Sequence, residues 1–270
     1  LVFANMQWFI YRREGKYEEG LAFANQQLSR PDFLDNPFLS LNILSLKASL
    51  LQSFGQYQLA LDVLEEVRKI VFHFGGTLIQ VDRFLNTAIN HAELGNFSAA
   101  REALSEANEM EQKLERPNDA AMILVTDAEI SRKEWEAGNL PQLRRAGTQI
   151  EQAISYLHGT NWINERAYAL QVAGWIALSN NKTAKALEYT QEMVKIIRGF
   201  PVAPEGYQYV HTCALWANGR DEEAEKFLNE AYDRVMLVAN QTKDDLLRGS
   251  WLENVYINRQ IIRDWVLNHS

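Results

Sequence analysis

Apolar residues recur along the chain in steps of three and four. Leu41, Leu44, Ala48 and Leu51 do so before Gly55, and Ala60, Leu61, Leu64 and Val67 do so after it, the spacing that gathers side chains on one face of an α-helix. No segment of useful length alternates apolar and polar residues as a half-buried strand would. The two stretches therefore predict a helical hairpin turning at Gly55. The same punctuation returns along the chain: Gly15-Lys16-Tyr17 with Gly20, Gly55-Gln56-Tyr57 with Ala60, Gly95-Asn96-Phe97 with Ala100, Gly138-Asn139-Leu140 with Leu143, Asn181-Lys182-Thr183 with Ala186, and Gly219-Arg220-Asp221 with Ala224. The intervals are 40, 40, 43, 43 and 38 residues. A period of that size predicts a solenoid of about six helical hairpins.

Local signals agree. Asn36 before Pro37, Ser98, Thr183 and Asp221 read as helix starts, and Gly75-Gly76 and Gly159 as helix ends. The second helices are long, as over Tyr57–Phe74 and Phe97–Glu115, which lengthens the period. Small residues stand seven positions before the turns (Ala48, Ala88, Ser131, Gly174, Thr212) and five after (Gly20, Ala60, Ala100, Ala186, Ala224). There the two helices of a hairpin would cross closely.

Composition narrows the picture. Only 14 Gly and 6 Pro in 270 residues leave little chain for loops. The single Cys permits no internal disulfide, so a cytoplasmic setting is the default expectation. No run approaches the roughly 18 apolar residues of a membrane span. A net charge of −8 argues against a nucleic-acid face, which needs clustered Lys and Arg. The chain opens mid-pattern on Leu1-Val2-Phe3-Ala4 without Met, so a larger parent protein is expected.

These residues together resemble the tetratricopeptide repeat: a small eighth residue, Gly-x-aromatic at the turn, Ala at the twentieth position and a large apolar residue four later (Leu64, Leu104, Leu228). The first hairpin departs from the pattern at Trp8, and the fourth at Leu143 and Gly147. The segment Arg248-Gly249-Ser250-Trp251 through Val255, Asn258 and Ile261 is similar to the one closing repeat arrays in large bacterial signal-transduction ATPases. The resemblance implies an all-α, right-handed α-α superhelix over residues 1–243, with C-terminal capping or docking helices over 244–270. It also implies a concave surface lined by the first helix of each hairpin. The family's groove-facing offsets fall on Asn5, Phe9 and Arg13; Asn42, Ser45, Ser49 and Gln52; Asp82 and Leu85; Arg132 and Trp135; Tyr168, Gln171 and Trp175; and Tyr209, Cys213 and Trp216. Of these, Arg13, Asn42, Arg132, Trp135, Tyr168, Gln171, Trp175, Tyr209 and Trp216 carry the side chains expected to bind, since Trp, Tyr and Arg dominate recognition surfaces. A slip of one residue in register would make Trp135, Trp175 and Trp216 inter-helix packing instead, and that alternative stands. Trp8, Trp162, Trp251 and Trp265 read as packing or helix ends.

Catalytic chemistry is not legible. There is no phosphate-cradling Gly-x-x-x-x-Gly-Lys, no Gly-x-Gly-x-x-Gly and no His-Glu-x-x-His. His73, His91, His158, His211 and His269 are scattered, and Cys213 lies in an apolar stretch as a buried thiol would. Glu18-Glu19 and Asp221-Glu222-Glu223 fit the first turns of helices, where negative charge complements the dipole, and Glu65-Glu66 fits a solvated face. The sequence therefore predicts a binding module without cofactor or metal, whose partner is a protein segment, a peptide or a small-molecule inducer, with no direct nucleic-acid or membrane contact. Its rival is a structural scaffold without a small ligand that self-associates through the convex face of the array or through the C-terminal helices around Trp251 and Trp265.

Overall fold

The computed structural model describes residues 10–30, 36–73, 81–139, 142–199 and 204–270; Asn5, Trp8, Phe9 and Gly75-Gly76 lie outside them. Every regular element among these residues is an α-helix. Residues 10–14 and α1 (Tyr17–Leu28) make the first hairpin. The following hairpins are α2 (Pro37–Ser53) with α3 (Tyr57–His73), α4 (Val81–Glu93) with α5 (Phe97–Leu114), α6 (Pro117–Glu136) with α7 (Gln142–Leu157), α8 (Ile163–Ser179) with α9 (Thr183–Ile197), and α10 (Glu205–Trp216) with α11 (Asp221–Gln241). Two further helices, α12 (Asp245–Glu253) and α13 (Tyr256–His269), follow.

All six turns have one geometry. A residue in the left-handed region stands at Gly15, Gly55, Gly95, Gly138, Asn181 and Gly219, with φ between 56° at Asn181 and 103° at Gly138. Its N–H donates three residues back and the next N–H donates five back. At the second hairpin these are Gly55 N–H to Gln52 C=O (3.0 Å) and Gln56 N–H to Leu51 C=O (2.9 Å). The pair satisfies carbonyls that the end of the first helix would otherwise leave unbonded.

The residue making the longer bond also starts the next helix, and this corrects three predicted caps. Ser98, Thr183 and Asp221 fall inside the first turn, while Asn96, Lys182 and Arg220 occupy the cap position without a side-chain hydrogen bond. Asn36 caps α2 as predicted, its Oδ1 accepting the Leu39 N–H at 3.2 Å.

The small residues at the crossings are buried: Ala48, Ala60, Ala88, Ala100, Ser131, Ala186, Thr212 and Ala224 are no more than 2% exposed. At Gly174 a Cβ would lie 2.7 Å from Thr190 Cγ2 and 3.1 Å from Val210 Cγ2, so α9 and α10 close on that point of α8. The fourth hairpin solves its crossing differently. Ala146 is the fully buried small residue clustered with Ala121, Val125 and Ala128, and Gly147 faces an open cleft of about 510 Å³ between α7, α8 and α9. Outside that cleft the side chain of Asp127 on α6 is held by Arg101, Arg145 and Gln149, and Arg101 also makes a two-pronged bond to Glu134 (3.2 and 2.7 Å).

Successive first helices are neighbours from α2 to α10, and each second helix touches the first helix of the next hairpin. The array then closes on its own beginning. Arg234 of α11 donates to the carbonyls of Arg13 (3.1 Å) and Arg12, the Lys243 N–H donates to Glu18 Oε2 at 2.6 Å, and Ser250 Oγ donates to the Phe54 carbonyl at 2.6 Å. Trp251 is 1% exposed, lies edge-on to Tyr17 and Phe54 (ring centroids 5.5 and 6.4 Å), and donates its indole N–H to the Val235 carbonyl at 2.9 Å. The Gly55 turn serves this contact too, because a Cβ there would stand 2.9 Å from Asn254 Cβ. One apolar core thus contains α1 to α3 and α10 to α13.

Candidate binding groove

The first helices α6, α8 and α10 present a common inner face, and α13 lies across it. Two cavities remain beneath that helix. The larger, about 290 Å³, is walled by Arg132 and Glu136 of α6, Trp175 of α8, Tyr209, Cys213 and Trp216 of α10, and by Tyr256, Ile257, Gln260, Arg263 and Asp264 of α13. The smaller, about 100 Å³, shares Arg132, Trp175, Tyr256 and Ile257 with it and adds Tyr57, Glu93, Glu129, Lys133, Tyr168 and Gln171.

Charge is concentrated on the α6 wall. Arg132, only 6% exposed at its side chain, makes a two-pronged bond to Glu129 (2.9 and 2.7 Å) and a further one to Glu136. The spacing of three and four residues along a helix brings these three together. Lys133 adds Glu93 of α4 at 3.0 Å and stands 4.0 Å from Glu129. Burial pushes the Glu129 carboxyl upward, but Arg132 and Lys133 outweigh it and hold the pKa at about 2. Tyr168 and Tyr57, facing the same cluster, are pushed well above the usual phenol range, first by burial and then by the nearby carboxylates. The wall is a charge-paired array in which Arg132 and Lys133 hold the Glu129 carboxylate ionised.

On the opposite wall α13 is held by its own chain. The Tyr209 hydroxyl donates to Asp264 Oδ2 at 2.6 Å. Trp265 stacks on Tyr232 at 4.0 Å and donates its indole N–H to Asn229 Oδ1 at 2.8 Å. Cys213 lies below this contact, and burial, reinforced by Asp264, pushes its thiol up to about 12. A thiol so placed is neutral and unreactive while α13 is seated.

No protein-family model and no curated protein sequence matches the chain. Solved structures do. BtubC from P. vanneervenii overlays with a TM-score of 0.56 at 16% identity, covering 85% of this chain and 94% of that one. A kinesin-light-chain relative from Podospora anserina with nearly identical TPR-like repeats overlays at 0.46 with 21% identity, covering 76% of this chain and 97% of that one. A signal-transduction ATPase from Pyrococcus horikoshii with a tetratricopeptide repeat sensor gives 0.48 at 12% identity, over 96% of this chain and 46% of that one. The chain has a tetratricopeptide-type fold. At such identities the likeness concerns backbone arrangement alone.

Within this tetratricopeptide-type array, the nine residues singled out from the sequence separate into two groups. Arg132, Tyr168, Gln171, Trp175, Tyr209 and Trp216 line the two cavities. Arg13, Asn42 and Trp135 line neither. Arg13 is exposed at the closure, with its carbonyl taken by Arg234. Asn42 is buried and donates to the Phe38 carbonyl one turn back at 2.8 Å. Trp135 packs on the core of α6 to α8, and Trp175 and Trp216, although they line the larger cavity, also pack against the apolar cores, so the packing alternative stands beside the groove assignment. Glu129, Glu136, Lys133 and the α13 residues were not singled out. The first three had a legible signal in the charge spacing of α6, whereas nothing in the sequence says which surface α13 covers. Trp251 and Trp265, the center of the oligomerisation reading, are both engaged within the chain.

Among the histidines, His211 is buried at 5% exposure, edge-on to Phe227 at 4.6 Å, with Nδ1 2.9 Å from Thr190 Oγ1. Burial, then the nearby Arg220, depress its pKa to about 4. The folded chain keeps this imidazole neutral where the unfolded chain takes up a proton. Its contribution is therefore intact above about pH 6.5 and is lost as the pH falls toward about 4, a loss of about 3 kcal/mol at about 1.4 kcal/mol per unit. Urea denaturation at about pH 7.5 and about pH 4.5 should show the wild type losing about this much more than His211→Gln. Equal losses in both proteins would exclude His211 as the source.

Proposed function

We propose that this array is a non-enzymatic binding module whose inner groove takes a segment of a partner protein, as the sensing region of a larger bacterial regulatory protein. The observation that carries the reading is the meeting of Trp175, Tyr209 and Trp216, from α8 and α10, around a 290 Å³ cavity, with the ionised Arg132–Glu136 pair at its edge. Aromatic platforms beside fixed charge are what recognition surfaces use for affinity and orientation. Solenoids in general bind on such extended inner surfaces. A segment bound there touches α6, α8 and α10 together with elements of the closure, so it favours one curvature of the array over another and biases whatever is attached. The cavity volume, near the lower end of the range for small-molecule pockets, also supports a second reading, in which a compact inducer fills it.

The test uses displayed peptides selected on the wild-type chain. Their affinity, measured by isothermal titration, should fall about tenfold or more in Trp175→Ala and in Trp216→Ala, with circular dichroism showing both variants folded. Unchanged affinity in both removes the groove assignment.

A further inference from the structure

The groove is wider than the helix lying in it. Clefts of about 290 and 100 Å³, both partly open to solvent, persist beside α13. Several of its large side chains stay in solvent, with Tyr256 at 44%, Val266 at 47% and Leu267 at 69% exposure. The helix before it is anchored otherwise: α12 carries Ser250, bonded to the Phe54 carbonyl, and the fully enclosed Trp251. Between the two helices the chain leaves helical geometry, with Val255 extended at φ −73° and ψ 105°. Asn258 Nδ2, bonded to the Trp251 carbonyl at 2.9 Å, forms a pivot just beyond the break. Past that pivot α13 is held by one enclosed aliphatic, Ile261, by the partly buried Ile262 and Trp265 packed on the core, by the Trp265–Tyr232 stack, and by hydrogen bonds from the Tyr209 hydroxyl to Asp264 and from the Trp265 indole to Asn229.

Building on the groove reading, we infer that α13 is an exchangeable occupant and that the partner is an amphipathic helix presenting the same face. That face is Ile257, Ile261, Asp264 and Trp265, spaced by four, three and one residues, the one-sided register by which helices are read in grooves. A competing helix needs an aliphatic side chain for the site of Ile261, a carboxylate for the Tyr209 hydroxyl and an indole or phenol ring for Tyr232. Larger groups in place of Ile257 fill the space that α13 leaves beneath it. The exchange breaks and remakes contacts of the same kind, so the incoming helix gains by filling volume the resident helix leaves empty.

Cys213, the single cysteine of the chain, reports the exchange because it lies under α13. In the full-length chain carrying Asp264→Ala and Trp265→Ala, labelling of Cys213 by a disulfide reagent should be about tenfold or more faster than in the wild type. A synthetic peptide of residues 255–270 should bind this variant and slow labelling again, and the same peptide with Ile257→Ser, Ile261→Ser and Trp265→Ser should do neither. Hydrogen exchange on the unmodified chain supplies an independent arm: amides of residues 259–269 should exchange about a hundredfold faster than those of α11 and α12. Exchange of α13 only at the rate of global unfolding, or labelling unchanged by the substitutions, overturns the inference while leaving the groove reading to its own peptide selection. Labelling that rises without protection by the peptide also overturns it, since the groove then takes no free helix. Protection accompanied by dimerisation in light scattering assigns the site to α13 of a second copy and rejects a partner helix.

Discussion

Arg132→Met should destabilise the chain by about 3–5 kcal/mol, the range found when one partner of a buried ion pair is removed. The guanidinium is enclosed and spends its donors on Glu129 and Glu136. Without it, Glu129 stays half-buried beside Tyr168, Gln171 and Glu93, with Lys133 at 4.0 Å as the remaining cation. The carboxylate then either remains ionised without adequate partners or takes a proton, and each course costs stability at neutral pH. Most of the loss is therefore the penalty of a stranded charge. Adding Glu129→Gln to Arg132→Met should restore more than half of it, because the double variant strands nothing. Urea denaturation of the wild type, both single variants and the double variant gives the coupling directly. A loss below about 1 kcal/mol for Arg132→Met, the scale of an exposed pair, would show that water reaches the site.

Trp251→Ala should cost about 3–5 kcal/mol as well, from a different cause. The indole is the largest fully enclosed side chain and fills the space between α1, α2 and α11, with its N–H on the Val235 carbonyl. Its removal leaves a cavity bounded by Tyr17 and Phe54 and takes from the Val235 carbonyl the bond it accepts beyond its helical one. The effect should be spatially uneven, which distinguishes a closure residue from a local one. Hydrogen exchange is expected to accelerate in residues 10–54 and in α11 and α12 together, while α6 to α9, whose cores are separate, keep their protection. Acceleration confined to α12 would show that the two ends are not energetically joined.

The contrast between these two sites explains what the sequence discloses. The six turns are legible because each one requires a left-handed residue, four of them at a fixed distance from two buried small residues, so that Gly or Asn is nearly dictated. The first-helix face is legible through the resemblance: once the register is set, the groove-facing offsets of the tetratricopeptide repeat put Arg132, Tyr168, Trp175 and Tyr209 on it. Trp135 shows the limit. It shares the offset but leans onto the core of α6 to α8, which holds both Leu143 and Ala146. The closure is not legible at all. Arg234 meets Arg12 and Arg13, and Ser250 meets Phe54, through single side chains separated by most of the chain, and no periodic signal accompanies them.

That closure alters how the chain is made. In an ordinary solenoid each unit completes its contacts with the unit before it, so folding can keep pace with synthesis from the first hairpins onward. Here the faces of Tyr17 and Phe54 wait for Trp251, whose codon is read about two hundred positions later. At elongation rates of about 5–20 residues per second, those apolar surfaces stand uncovered for tens of seconds at the slower end. The segment most in need of protection during synthesis is thus the beginning of the chain, and the last helices act as its delayed counterpart.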